Sequence, residues 1–333
     1  MYSATVTVTP PFPVSLGSVV APWSRGNQDP VARAGAGGAP SFWTSARVGS
    51  TPVVLRFEQE TRRAAPTAER YLAPIHVRLW AERSAAGLAA IEALSADLDA
   101  WVGARDDWSD FLGSPAYAHL PEQLQLAHRE HPGLRLGATG QLTWHAISAI
   151  TEQRVTGIEA MGGLRAVLRR IAEPLPNTGL ADQPRGMLFF PVTASFLEVP
   201  SWIWHRAGYD SARSRAVLEY ARRADSLEKI AQTRSAAELS TALHSISGIG
   251  PWTIAEILQR THGHPDAVSV GDYHLAKHVG WAFEQKRADD ARMLQLLAPF
   301  TGHRNRVVAL IKAARIEAPK HGARLAPQDH RHH

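Results

Sequence analysis

The sequence predicts a mainly α-helical protein that opens with a small α+β unit, an antiparallel sheet packed on a helix. Three observations carry this. Short β-type runs separated by polar or Gly/Pro-rich segments occupy residues 1–108. From Asp107 onward almost every apolar pattern recurs at spacings of three and four. At 333 residues and 44% hydrophobic content, the chain has room for about two or three compact domains and is too apolar to be largely disordered.

In order, strands are expected at Ser15–Val20, Ser41–Arg47, Pro52–Glu58 and Ile75–Trp80, with the GAGGAP segment Gly35–Pro40 as a hairpin connection. The period then changes, and Leu88, Ile91, Leu94, Leu98 and Trp101 place a helix over Glu82–Val102. This first unit reads as scaffold. Asp107 or Ser109 caps a short helix, and Pro121–Glu130 forms another that stops before His131–Pro132. Gln141–Gln153 follows, with Leu142, Trp144, His145, Ile147 and Ile150 on its apolar face. Helices are expected over Gly157–Ala172, Ser195–His205, Ala212–Asp225 and Leu227–Ser240, the proline-rich PLPNTGLADQP being a loop. Arg213, Arg215, Arg222 and Arg223 read as solvated helix surface. After Glu317 the tail is polar, and residues 319–333 are expected to be a basic, mobile end.

Composition narrows the function. There are no cysteines, which excludes disulfides, an iron–sulfur cluster and cysteine-based zinc sites. A net charge of +5 favours a polyanionic partner. The N-terminus lacks a basic start with a sustained apolar core, and no apolar run is long enough to span a bilayer. A soluble, cytoplasmic protein without a membrane partner is expected.

The most specific stretch is LHSISGIGPWTIAEILQRTHGHPDAVSVGDY, Leu243 to Tyr273. Gly248 and Gly250 flank Ile249, and Pro251 suits the first turn of a helix. Two glycines allow a sharp turn and leave the N–H groups at the helix start uncovered, which with the helix dipole suits a phosphate. Taken alone this is an ordinary turn between helices. The order adds more: Leu243 and Ile246, then GIG, then Thr253, then Asp272 about one helix later.

That order resembles the helix-hairpin-helix (HhH-GPD) DNA glycosylases, and among them the 3-methyladenine DNA glycosylase II type. SGIGPWT is similar to the family's hairpin, and VSVGDYHLAK to the segment carrying its aspartate, which falls on Asp272. The resemblance covers about Ile150 to Ala314. It implies a helical glycosylase region over residues 109–318, with the hairpin at 243–258 and a catalytic loop at 268–273. It further implies a monomer, nucleoid-associated, that flips damaged bases out of double-stranded DNA and hydrolyses their N-glycosidic bonds in base excision repair. Alkylated purines such as 3-methyladenine and 7-methylguanine are the expected substrates. Other lesions, oxidised or deaminated, are one alternative, and a non-catalytic DNA-binding module is another.

The roles of residues follow from this likeness. A carboxylate at Asp272 stabilises an oxocarbenium-like sugar and orients water, although capping a helix over Tyr273–Phe283 is an equally ordinary task for Asp. Trp252 stands where members that cut the backbone carry a Schiff-base lysine, which implies a monofunctional enzyme. Ile150–Thr156 is similar to the wedge segment and makes Gln153 and Arg154 the wedge candidates, Arg154 departing from the apolar wedge of better-known members. The base pocket is assigned to Trp252, Tyr273 and Trp202, with Glu256 and His303 at positions that some relatives fill with aromatic rings. Phosphate contacts are assigned to Gly248, Gly250, Thr253, Arg304 and Arg306. A sodium or potassium ion is expected on the carbonyls of Ile246 and Ile249, with no cofactor for catalysis. His274 and His278 form an i,i+4 pair near His262 and His264, but Leu275 stands where a metalloprotease signature needs glutamate. These histidines read as structural or surface groups.

Overall fold

The computed structural model describes residues 1–26, 28–60 and 67–319; the expected basic tail, from Lys320 on, lies outside the described residues. Five antiparallel strands form one sheet in the order β1-β5-β4-β3-β2, where β1 is Tyr2–Val8, β2 Arg33–Ala34, β3 Ser41–Val48, β4 Thr51–Gln59 and β5 Ile75–Ala81. Three of the four expected strands are present, and Gly35–Pro40 joins β2 to β3, which pair Ala34 with Phe42. Ser15–Val20 is instead a short helix, Leu16–Val20, whose start is capped by the Ser15 hydroxyl accepting the Ser18 N–H. Its buried residues, Leu16, Val19 and Val20, fit helical spacing as well as a strand, and six residues are too few to decide by period. The first strand was not expected: YSATVTV pairs along β5 from Tyr2–Ala81 to Val8–Ile75.

One face of the sheet carries the helix Ala85–Ser95, started by the Ser84 hydroxyl accepting the Gly87 N–H at 3.0 Å. The expected single helix over Glu82–Val102 breaks after Ser95 and resumes as Leu98–Trp101. Leu88 is 46% exposed; Ala90, Ile91 and Leu94 are the residues that face the sheet's core. There Trp101 meets Trp23 edge-on at 5.5 Å and stacks on Phe57 at 6.1 Å. Replacing Trp101 with alanine empties the centre of this cluster, and a loss of about 3–5 kcal/mol is expected in urea unfolding. The other face is covered by the proline-rich loop. Met187 and Phe189 join the stacked Trp43 and Trp80, while Asp182 accepts Ser41 Oγ at 2.6 Å and Arg56 Nε at 2.8 Å.

The helices that position the site are α1 (Leu142–Thr151), α2 (Gly157–Ile171), α3 (Ser211–Thr233), α4 (Ala236–His244), α5 (Pro251–Thr261), α6 (Leu275–Glu284) and α7 (Arg304–Ala313). α1 is buried along almost its whole length and packs against α2, α3 and α5. Three expected helices have different limits. Ser195–His205 is split at Pro200 into Thr193–Leu197 and Ser201–Arg206. α3 runs through Ser226, whose hydroxyl donates to the Arg223 carbonyl within the helix. The break comes at Ser235, which forms a capping box with Glu238 and starts α4. Arg213, expected at the surface, is buried: it donates to Asp210, to the Gly208 carbonyl and to the Thr151 carbonyl.

Two cores result. The first is continuous from Leu55 and Val77 of the sheet to Ile147, Val217 and Ile257 of the helices. The second joins Trp108, Phe111 and Leu124 to Val279, Leu297 and Val307. The chain between α5 and α6 crosses from one core to the other. Among the described residues no helix is long and apolar enough to cross a membrane.

His145 in α1 is fully buried, with Nε2 on Thr139 Oγ1 at 2.8 Å. Burial, reinforced by Arg25 and Arg260, pushes its pKa well below the ordinary 6.5, so it is neutral in the fold and protonates on unfolding. His128, His262 and His264 are lowered in the same direction, mainly by burial. A depressed folded pKa contributes stability above the unfolded value and loses it as pH falls. The urea midpoint is therefore expected to drop from about pH 6.5 downward, each such histidine contributing up to about 1.4 kcal/mol per pH unit. A midpoint that stays level from pH 6.5 to 5 would contradict this.

Candidate active site at the hairpin

After α4 the chain turns through Ser245–Gly250. The Ile249 N–H donates to the Ile246 carbonyl at 3.0 Å. Gly248 has φ +90°, a backbone state that side chains rarely adopt. Gly250 is extended and precedes Pro251 at the start of α5, and a Cβ there would meet nothing within 4 Å. No side chain caps the start of this eleven-residue helix by a hydrogen bond.

Asp272 lies at the end of the loop that leaves α5. Its Oδ1 accepts the N–H groups of His274 and Leu275, both at 2.8 Å, so it closes the turn that leads into α6, whose N-cap residue is His274. Its Oδ2 accepts the Trp252 indole N–H at 3.3 Å. Closing this turn and catalysis therefore do not compete: one oxygen is fixed by a helix start, and the other is turned toward the hairpin helix. The carboxylate is half-buried at the passage between the two cores. Beside it Tyr273 is 65% exposed, with Lys277 Nζ 3.7 Å from the ring centre.

No protein-family model matches the sequence, and no curated protein sequence matches it significantly. Solved structures match it in shape. The 3-methyladenine DNA-glycosylase from Archaeoglobus fulgidus aligns with a TM-score of 0.71 at 13% identity, over 93% of this chain and 98% of that one. The chain has the fold of the HhH-GPD DNA glycosylases. The 8-oxoguanine glycosylase/lyase from Clostridium acetobutylicum, in complex with dsDNA containing cytosine opposite 8-oxoG, aligns at a TM-score of 0.64 and 12% identity, over 93% of this chain and 95% of that one. At such identities the likeness carries the fold, and the chemistry rests on the residues.

Within this glycosylase fold, the expected site residues separate into two groups. Trp252 and Tyr273 lie beside Asp272, and Gly248 and Gly250 form the turn that leads into α5. Arg154 is exposed and has φ +58°, rare for a residue with a side chain, on the loop between α1 and α2. Gln153 is tied down instead of free: its amide donates to the Gly248 carbonyl and to Thr253 Oγ1, both at 2.8 Å. It braces the loop between α1 and α2 against the hairpin. Thr253 is accordingly buried, its hydroxyl occupied by Gln153, and its side chain does not face a phosphate.

The remaining assignments need correction. Trp202 is 51% exposed on the surface beside α2, its ring flanked by the guanidinium groups of Arg170 and Arg206 at 5.6 and 5.3 Å. His303 stacks on Phe111 at 4.7 Å and accepts from Arg306. Arg306 is buried, donating to Asp106 and to the Asp107 carbonyl, so it is not a phosphate contact. Arg304 is ion-paired with Asp266, which also accepts the Arg304 and Gly302 N–H groups.

Glu256 also faces inward. It pairs with Arg260 at 2.7 Å and accepts the Ser269 hydroxyl at 2.5 Å. Burial pushes its carboxyl up, but Arg260, Lys312 and the Ser269 hydrogen bond outweigh this and hold the pKa at about 2. The rings of His274 and His278 are 5.7 Å apart, and among the described residues no three side chains are grouped as metal ligands. Ser269, Gln259 and Arg260 were missed by sequence reasoning. Their signal was the polar spacing i, i+3, i+4 of Glu256, Gln259 and Arg260, which does not say what that face holds.

Proposed function

We propose that this protein is a monofunctional DNA glycosylase that hydrolyses the N-glycosidic bond of alkylated purines in double-stranded DNA. The observation that carries the proposal is Asp272, suspended between the α6 start and the indole at the α5 start. In the reaction the C1′–N bond breaks and its electron pair leaves with the base. A cationic 3-methyladenine or 7-methylguanine is neutralised by that pair and needs no acid. The Asp272 carboxylate stabilises positive charge at the sugar, and a water oxygen bonds to C1′ as its proton passes to Asp272 or solvent. Trp252 offers an aromatic face beside the carboxylate, which favours a cationic base, whereas one face of Tyr273 already holds the Lys277 ammonium.

The N–H groups at Gly248 and Gly250 suit a DNA phosphate. A sodium or potassium ion on the Ile246 and Ile249 carbonyls would brace the turn, and the Ile246 oxygen keeps a lone pair beyond its bond to Ile249. Arg154 is proposed as the wedge that fills the gap left by the flipped nucleotide, with Gln153 anchoring its loop. Residue 252 carries no amine, so the product is an intact strand with an abasic site.

Duplexes each carrying one lesion, incubated with the protein and then treated with alkali, test the reading. Breaks are expected with the methylated purines after alkali. Breaks before alkali would overturn the monofunctional assignment and implicate an amine such as Lys277. Breaks restricted to oxidised or deaminated bases would overturn the lesion class and leave the glycosylase chemistry standing.

A further inference from the structure

We infer that Ser269, backed by Glu256 and Gln259, is a positioning residue that sets where the Asp272 carboxylate points. The inference rests on Asp272 being the catalytic group. Gly271, next to Asp272, is at φ +90°, and nothing lies within 4 Å of where its side chain would be, while within the loop the Val270 N–H donates to the Val268 carbonyl at 2.9 Å. A further hold comes from one face of α5. Gln259 Nε2 donates to the Ala267 carbonyl at 2.9 Å and to Ser269 Oγ at 3.1 Å, and Ser269 Oγ donates to Glu256 at 2.5 Å. Every donor and acceptor in this chain is used in its proper sense, with Glu256 as the ionised acceptor that Arg260 secures.

Ser269 then passes the constraint on. Its carbonyl accepts the Asp272 N–H at 3.2 Å, and it is itself 4% exposed. Trp252, one turn before Glu256 on the same helix, holds the carboxylate end at Oδ2. The loop is thereby pinned at both ends to a single rigid helix, the one whose first turn forms the hairpin site. An active carboxylate must be held within roughly half an ångström of its productive place, and a displacement near 1 Å costs about 100-fold in rate. Residue 256 consequently serves the catalytic loop here and does not face the flipped base.

Single-turnover release of 7-methylguanine from methylated duplex DNA tests this, using the full chain. Ser269→Ala is expected to lower the rate about 10- to 100-fold, with duplex affinity and melting temperature nearly unchanged. Gln259→Met, which keeps Ser269, is expected to give a smaller loss, about 3- to 10-fold, and guards against a folding defect in the first variant. The Trp252 indole N–H resonance should shift in Ser269→Ala, because its acceptor has moved. In an Asp272→Asn background Ser269→Ala should remove nothing further. A wild-type rate in Ser269→Ala, an unmoved indole resonance, or the full loss repeated in the Asp272→Asn background would overturn the inference. A wild-type rate in Asp272→Asn itself would instead overturn the catalytic role of Asp272, so the two failures are distinguishable.

Discussion

Asp272→Asn is expected to lower the single-turnover rate of base release by about 100- to 10,000-fold, while duplex affinity stays within about threefold. The substitution separates the two tasks of this side chain. Asparagine Oδ1 still accepts the N–H groups of His274 and Leu275, which hold the present Oδ1 at 2.8 Å, so the α6 start is kept. What disappears is the charge. The amide nitrogen, facing the Trp252 N–H where Oδ2 now accepts at 3.3 Å, offers a donor to a donor and cannot take a proton from water. A protein in which Asp272 merely closed this turn would lose little, since Asn closes such turns about as well as Asp.

Asp106→Ala is expected to cost about 3–5 kcal/mol of stability, read as a lower urea midpoint. Both side chains of the Asp106–Arg306 pair are over nine-tenths buried, at 6% and 8% exposure. Asp106 Oδ1 takes Arg306 Nε at 3.1 Å, and Oδ2 takes the Trp108 indole N–H at 2.7 Å and the Leu136 N–H at 2.8 Å. Removing the carboxylate strands a buried guanidinium and two N–H groups together. The pair ties α7 to the segment that follows the sheet's helices, and through α7 it steadies the lobe in which α6 begins. A midpoint unchanged from wild type would show that water replaces the carboxylate without cost.

What the sequence disclosed depended on whether a residue's task is local. The hairpin was legible because a turn at φ +90° selects glycine and a helix start tolerates proline, and both signals lie within a few positions. β3, β4 and β5 were legible from β-rich runs between turn residues. Tyr2–Val8 shows a strand's alternation only through the small or β-branched Ala4, Val6 and Val8, which lean on the core. The limits of α3 depended on which serine caps: Ser226 bonds back into its own helix, whereas Ser235 finds Glu238 three residues on. Charged groups were the least legible. Arg306 reads equally well as a phosphate contact or as the partner of an internal acid, and its partner lies 200 positions earlier. Glu256 likewise depends on Ser269, thirteen positions away on another element.

The product formed reports most directly on the Asp272 carboxylate as the catalytic group. Mass spectrometry of the small molecules released from methylated duplex DNA should find free 3-methyladenine and 7-methylguanine with the wild-type protein, and neither above background with Asp272→Asn. Release of no base by the wild type, or equal release by both proteins, would contradict that role.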